Sequence, residues 1–225
     1  SVGVIGPSAA GKSTLARLLV GVWKPTHGAV HLDGADVSQW DREQLGPYIG
    51  YLPQSVALLD GSVADNIARF GEPDPDAVIK AAQRAGVHEM ILRLPDGYDT
   101  QIGRTGAVLS AGQRQRVGLA RAIYNDPSFV VLDEPNSNLD SEGETALKAC
   151  IDSLRNDGVT VVVVAHRPSL LSDIDRLLVL SDGKIETYGP RDEVMKKVVR
   201  GVPQAGAPAS ARADAALGAA KEAQS

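Results

Sequence analysis

The chain has 225 residues, 43% hydrophobic and 23% charged, enough for one large domain with a sizeable core. A net charge of -5 leaves no basic stripe for phosphate-backbone contacts, so no nucleic-acid partner is expected. The single cysteine, Cys150, can form no internal disulfide and reads as a small buried apolar residue, and the longest valine run falls far short of the ~20 apolar residues of a membrane span.

The opening run SVGVIG reads as a strand leading into a glycine loop. A helix is predicted from Lys12 to about Val22, with Leu15, Leu18, Leu19 and Val22 at i, i+3, i+4 and i+7. GAVHLDG and YIGYLPQ read as strands closed by turn or polar residues. From about Ser62 to Tyr124 the pattern is helical, with one clear helix in DPDAVIKAAQRAGV after Pro73. SFVVLDE and VTVVVVAH are short continuous apolar runs, the pattern of parallel strands covered on both faces. DRLLVLSDGKIETYG reads as a hairpin turning at Asp182 and Gly183, followed by a last helix from Arg191 to Val199. The expected fold is α/β: a mostly parallel sheet, a small antiparallel β part and a helical subdomain inserted at about 62–125. Residues 1–202 make one domain. The alanine-rich tail, 203–225, holds only Leu217 as a large apolar side chain and is expected to be disordered.

GPSAAGKST fits G-x-x-x-x-G-K-[ST] between a strand and a helix, the context of a phosphate-cradling loop. The glycines let the loop of Gly6, Pro7, Ser8, Ala9, Ala10 and Gly11 curl so that its backbone N–H groups, which Pro7 lacks, point at phosphate oxygens, and the helix N-terminus adds a favourable dipole. Lys12 is expected to reach the β- and γ-phosphates, the Ser13 hydroxyl to ligate Mg²⁺, and Thr14 to complete the loop. FVVLDEP ends a buried strand in two adjacent carboxylates, which repel each other unless a cation sits nearby. Asp133 suits the Mg²⁺ and Glu134 the general base that orients the attacking water. His166, ending the next apolar run, suits a donor to the γ-phosphate, and Gln54 is within reach of either the Mg²⁺ or the water. His27, His31 and His88 read as ordinary surface residues.

LSAGQRQRVGLARAI, at 109–123, puts a small polar turn at the start of a helix with no acid, histidine or cysteine beside it. Together with the phosphate loop, Gln54, Asp133, Glu134, the SNLD turn ending in Asp140 and His166, it resembles the nucleotide-binding domain of ABC transporters. The resemblance spans almost all of residues 1–200. It implies a homodimer of ATP-hydrolysing domains facing head to tail, in which Ser110, Ala111, Gly112 and Gln113 contact the γ-phosphate held by the other copy. Asp140 then lies in the loop that crosses between protomers. YLPQSVALLDGSVADNIARFG, ILRLPDGYDTQIG and YGPRDEVMKKVV are similar to the ATPase domains of type I secretion exporters. That implies a six-helix membrane domain in the same polypeptide, a periplasmic adaptor, an outer-membrane channel, and a place on the cytoplasmic face of the bacterial inner membrane. A stand-alone subunit of another transporter, or a DNA-repair or translation ATPase of the same family, is the alternative. No Asn-Lys-x-Asp motif for guanine is present.

Three departures from the family pattern stand out. Ala111 replaces a glycine usual in the Ser110 turn, and Arg104, in GRTG at 103–106, replaces a common glutamate in a loop that meets the membrane domain. The resemblance also places the first β strands and the adenine-stacking aromatic before Ser1. These residues by themselves are therefore expected to bind ATP weakly, since stacking is worth roughly 1–3 kcal/mol, and to expose apolar surface where those strands pack.

Overall fold

The computed structural model describes residues 1–103, 109–165 and 168–201; Arg104, His166 and the 203–225 tail lie outside them. A six-stranded sheet runs in the order β10-β9-β1-β8-β7-β4. Its members are β1 (Val2–Ile5), β4 (Ile49–Leu52), β7 (Phe129–Asp133), β8 (Thr160–Val164), β9 (Arg176–Ser181) and β10 (Lys184–Pro190). All neighbours pair parallel except β9 and β10. The continuous apolar runs work because pleating sends alternate residues to opposite faces. Val161 and Val163 enter one core cluster, whereas Val162 and Val164 enter the other. The second cluster is closed by α1 (Lys12–Leu19) through Ala16 and Val20. The first is closed by α6 (Ala111–Ile123) and α7 (Ser141–Asn156).

The remaining elements are the two-residue strand pairs β2–β3 (His31–Leu32, Ala35–Asp36) and β5–β6 (Gly61–Ser62, Gln101–Ile102), both antiparallel. Between β4 and α6 lie α3 (Val63–Ile67), α4 (Pro75–Arg84) and α5 (His88–Leu92); α2 (Arg42–Leu45) precedes β4 and α8 (Arg191–Gly201) follows β10.

The first helix is shorter than its periodicity predicts. Gly21 takes φ +71 directly after the Val20 cap, so the chain leaves the helix and Val22 is 49% exposed. The GAVHLDG strand shrinks to two residues because Asp33 and Gly34 both take positive φ and turn it at once into a hairpin. The predicted turn at Asp182 and Gly183 has the same two-residue geometry and joins β9 to β10. Trp40 and Tyr48 stand exposed near the β2–β3 hairpin, beside apolar grooves lined by Val37, Leu45 and Ile49.

Two close approaches lock the helical segment to the sheet. At Gly50 a Cβ would stand 2.1 Å from the Ala122 carbonyl oxygen, so β4 touches the backbone of α6. Arg69, buried deeply enough that its pKa is lowered, donates to the carbonyls of Arg121, Ala122 and Tyr124 at the end of α6 and to Gly46 and Ile49 beside β4. A cation at a helix C-terminus suits both the unpaired carbonyls and the dipole.

Candidate nucleotide site

Parallel pairing brings the C-terminal ends of β1, β4, β7 and β8 to one edge of the sheet, where ligands bind in open α/β sheets. The loop after β1, Gln54 two residues beyond β4 and Glu134 just after β7 deliver predicted side chains there. They meet in an open cleft of about 290 Å³ lined by Ser8, Ala9, Gly11, Lys12, Ser13, Thr14, Gln54 and Glu134.

The loop is set by its backbone. Gly6 runs so close to β9 that a Cβ would lie 2.1 Å from the Leu180 carbonyl oxygen. Gly11 caps α1 in the left-handed region at φ +95, leaving the first amides of the helix without a side-chain cap. Lys12 is only 6% exposed, and its Nζ donates to the Gly6 and Pro7 carbonyls at 2.9 and 2.8 Å. Burial lowers its pKa, and the charges of Glu134 and Asp133 oppose that shift. With two donors spent on its own loop, the third is available to a phosphate oxygen.

One loop residue departs from what the backbone asks. Ala9 sits at φ +63, a region where a Cβ costs about 1–2 kcal/mol and glycine costs nothing. Ala9→Gly is therefore expected to raise stability by about 1 kcal/mol, read from denaturant midpoints at constant m-value.

Asp133 and Glu134 differ in environment although adjacent. Asp133 is fully buried, and neither carboxylate oxygen makes a hydrogen bond to the described residues. Burial raises its pKa; the Ser13 hydroxyl is near enough to oppose the shift without reaching hydrogen-bond geometry. An orphaned buried carboxylate beside a serine hydroxyl would suit a hard cation, which takes oxygen ligands. Glu134 projects into the cleft from a backbone at φ +50, with its N–H bonded to the Val164 carbonyl at 2.9 Å. Gln54 Nε2 donates to Glu134 Oε2 at 3.0 Å, so two predicted residues 80 positions apart are in contact. Backbone strain such as the φ +50 of Glu134 clusters where function over-determines geometry.

The Ser110 turn does not line this cleft. Ser110 is exposed and caps α6: its Oγ accepts from the Gln113 N–H at 3.2 Å, and Gln113 Oε1 accepts from the Ser110 N–H at 2.8 Å. The cap uses the Ser110 Oγ as acceptor and the Gln113 Oε1, which leaves the Ser110 O–H and the Gln113 Nε2 as donors that no described residue takes. Ala111 is the first helical residue, where alanine is well suited, so the departure from glycine costs no backbone strain. Gly112 is the constrained position, since a Cβ there would lie 2.8 Å from the Asn138 carbonyl oxygen. Asp140 caps α7, its Oδ1 accepting from Gly143 N–H at 2.8 Å. His88 is half-buried and hydrogen-bonded to Tyr98 at 2.7 Å, unlike the exposed His27 and His31. Cys150 is buried, its thiol pKa pushed up to about 12.

Sequence reading passes over Gln115, Gly118 and Asn66, buried in or against α6, and the half-buried Arg121. The available signal is polar residues and a glycine inside an otherwise apolar helix.

Residues 1–137 match the family described as "ABC transporter". Across 201 residues, 89% of the chain, it is 55% identical to the type I secretion system ATP-binding protein PrsD of Rhizobium meliloti, covering 34% of that protein. It is 40% identical over 87% of its length to an ATP-dependent lipid A-core flippase of Burkholderia orbicola, covering 33% of it. Among solved structures, a bacterial Atm1-family ABC exporter with ATP bound superposes with a TM-score of 0.79 at 34% identity, covering 87% of this chain and 35% of that one. The chain thus spans about a third of the length of these relatives. With a phosphate-cradling loop, the adjacent carboxylates Asp133 and Glu134 and this likeness on the same residues, the chain belongs to the ABC transporter family, as an ATP-binding domain.

Proposed function

We propose that residues 1–202 are the motor of a protein-secreting exporter, hydrolysing ATP at two sites shared by a homodimer. The observation that carries this reading is the convergence of Lys12, Ser13 and the Gln54–Glu134 pair on one cleft, with the orphaned Asp133 buried beside Ser13. Lys12 and the loop amides hold the phosphates; Ser13, Asp133 and Gln54 hold Mg²⁺, which neutralises charge developing on the γ-phosphate. Glu134 accepts the proton of the attacking water, and Gln54 leaves its carboxylate to order that water or the cation. His166 donates to the γ-phosphate. Ser110, Ala111, Gly112 and Gln113 close over the nucleotide of the other protomer, and Asp140 sits where the protomers cross. ATP drives closure because it binds the closed pair better than the open one.

The likeness to a type I secretion protein supports a membrane domain in the same polypeptide, a periplasmic adaptor, an outer-membrane channel, and a site at the cytoplasmic face of the inner membrane. Among the described residues no helix is long and apolar enough to cross a membrane. The test is secretion by the full-length protein expressed with adaptor and channel. Lys12→Ala is expected to abolish both secretion and Mg²⁺-dependent turnover, the latter by at least about a hundredfold. Unchanged secretion in that variant overturns the reading.

A further inference from the structure

Every third residue along the first three turns of α6 touches a loop of the catalytic edge. Gly112 lets α6 approach the Asn138 carbonyl. Gln115, 2% exposed, donates from Nε2 to the Pro135 carbonyl at 3.1 Å, immediately after Glu134. At Gly118 a Cβ would lie 2.7 Å from Val56, two residues beyond Gln54, so that loop seats directly on the helix backbone. Arg121 donates to the Ala57 carbonyl at 2.9 Å and holds Asn66 twice, through its carbonyl at 2.8 Å and its Oδ1 at 2.6 Å. Asn66 in turn binds both the N–H and the carbonyl of Leu59, closing the far end of the same loop.

None of these contacts suits a helix chosen only for packing. The interior glycine, Gly118, costs about 1 kcal/mol, and a buried amide or part-buried guanidinium costs more unless its donors are met. Among the described residues Arg121 forms no ion pair; its partners are carbonyls and an amide. The Gln115 bond, two of the Arg121 bonds and the Gly112 approach are made to backbone carbonyls, so they follow the position of the neighbouring segments rather than side-chain identity.

We propose that Gln115 and Arg121 are positioning residues that make the Ser110 helix, the acidic turn and the Gln54 loop move as one unit. This rests on the shared-site reading above. In a head-to-tail pair, Glu134 and Gln54 act on the nucleotide of their own phosphate loop, whereas Ser110 caps the nucleotide of the other protomer. Gln54 supplies the two-state element: it is bonded to Glu134 at 3.0 Å in this structure and released when nucleotide recruits it. Release shifts the loop, and Arg121 carries the shift to Ser110, about 16 Å along a stiff helix. Each site thereby reports its occupancy to the other, with the sign of positive cooperativity.

The test uses the full-length protein with Gln115→Met, which keeps side-chain length but loses the donor. Arg121→Lys keeps the charge but cannot span Ala57 and Asn66 together. Three quantities are read: ADP affinity, which needs only the protomer's own loop, kcat, and the Hill coefficient for ATP. The expected result is unchanged ADP affinity, kcat lower by about tenfold, and a Hill coefficient falling toward 1. A wild-type Hill coefficient of 1 overturns the proposal, as do variants that keep wild-type kcat and cooperativity, or whose kcat falls only in step with ADP affinity. Should one variant fail to fold, the other decides. Ser110→Arg, run in parallel, separates the two ideas. Normal turnover there sinks the shared site itself, whereas loss of turnover beside undiminished cooperativity in the α6 variants sinks the coupling alone.

Discussion

Glu134→Gln is expected to bind ATP, to lose turnover by about 10²–10⁴-fold, and to accumulate as an ATP-bound dimer. The substitution is isosteric, so the φ +50 backbone and the Val164 hydrogen bond that aim the side chain are retained. What disappears is the proton acceptor and one negative charge. Glu134 and Asp133 both act on the Lys12 ammonium, and a triphosphate entering the cleft meets both carboxylates. Removing one eases that repulsion while Lys12 finds its counter-charge in the nucleotide. ATP affinity therefore holds or improves while the chemical step stops. Size-exclusion chromatography with ATP and Mg²⁺, beside phosphate release, reads both halves. A variant that hydrolyses within tenfold of wild type removes Glu134 from the role of base.

Ser110→Arg is expected to stop turnover by at least about a hundredfold, the scale of losing a donor to developing phosphate charge, with nucleotide binding to a single protomer intact. The local cost is small: one capping bond at 3.2 Å is lost, worth about 1 kcal/mol against a typical 5–15 kcal/mol of folding stability. Ser110 is exposed, so a long side chain there meets solvent in the monomer and obstructs the γ-phosphate only in the closed pair. Mixing gives a sharper result. Lys12→Ala has a dead loop and an intact Ser110; Ser110→Arg has the reverse. Neither alone is expected to occlude ATP, whereas their mixed dimer contains one whole site and should retain one nucleotide. Occlusion by Ser110→Arg alone, or none in the mixture, contradicts sites shared between protomers.

Much of this was legible locally. The phosphate loop is nine contiguous residues whose glycines, lysine and hydroxyl act together, so spacing alone carries the chemistry. Asp133 and Glu134 were legible because a continuous apolar strand ending in acids is costly without a purpose. The α6 cap could be read from Ser110 and Gln113, three residues apart. By contrast, the periodicity of 12–22 overstated α1, because a left-handed glycine ends a helix wherever it falls, whatever the pattern beyond it.

Amino-acid order by itself thus determined which segments become strands or helices and which side chains carry charge to the phosphates, because those depend on neighbours a few residues away. Only the fold decided that Gln54 meets Glu134, that Asp133 is left without a donor, that Ala9 is strained, and that Gln115 and Arg121 clasp loops 20 and 64 positions away. These depend on strand order and on how closely α6 lies against the sheet edge. Such distances are set by packing across the core, which no local pattern encodes.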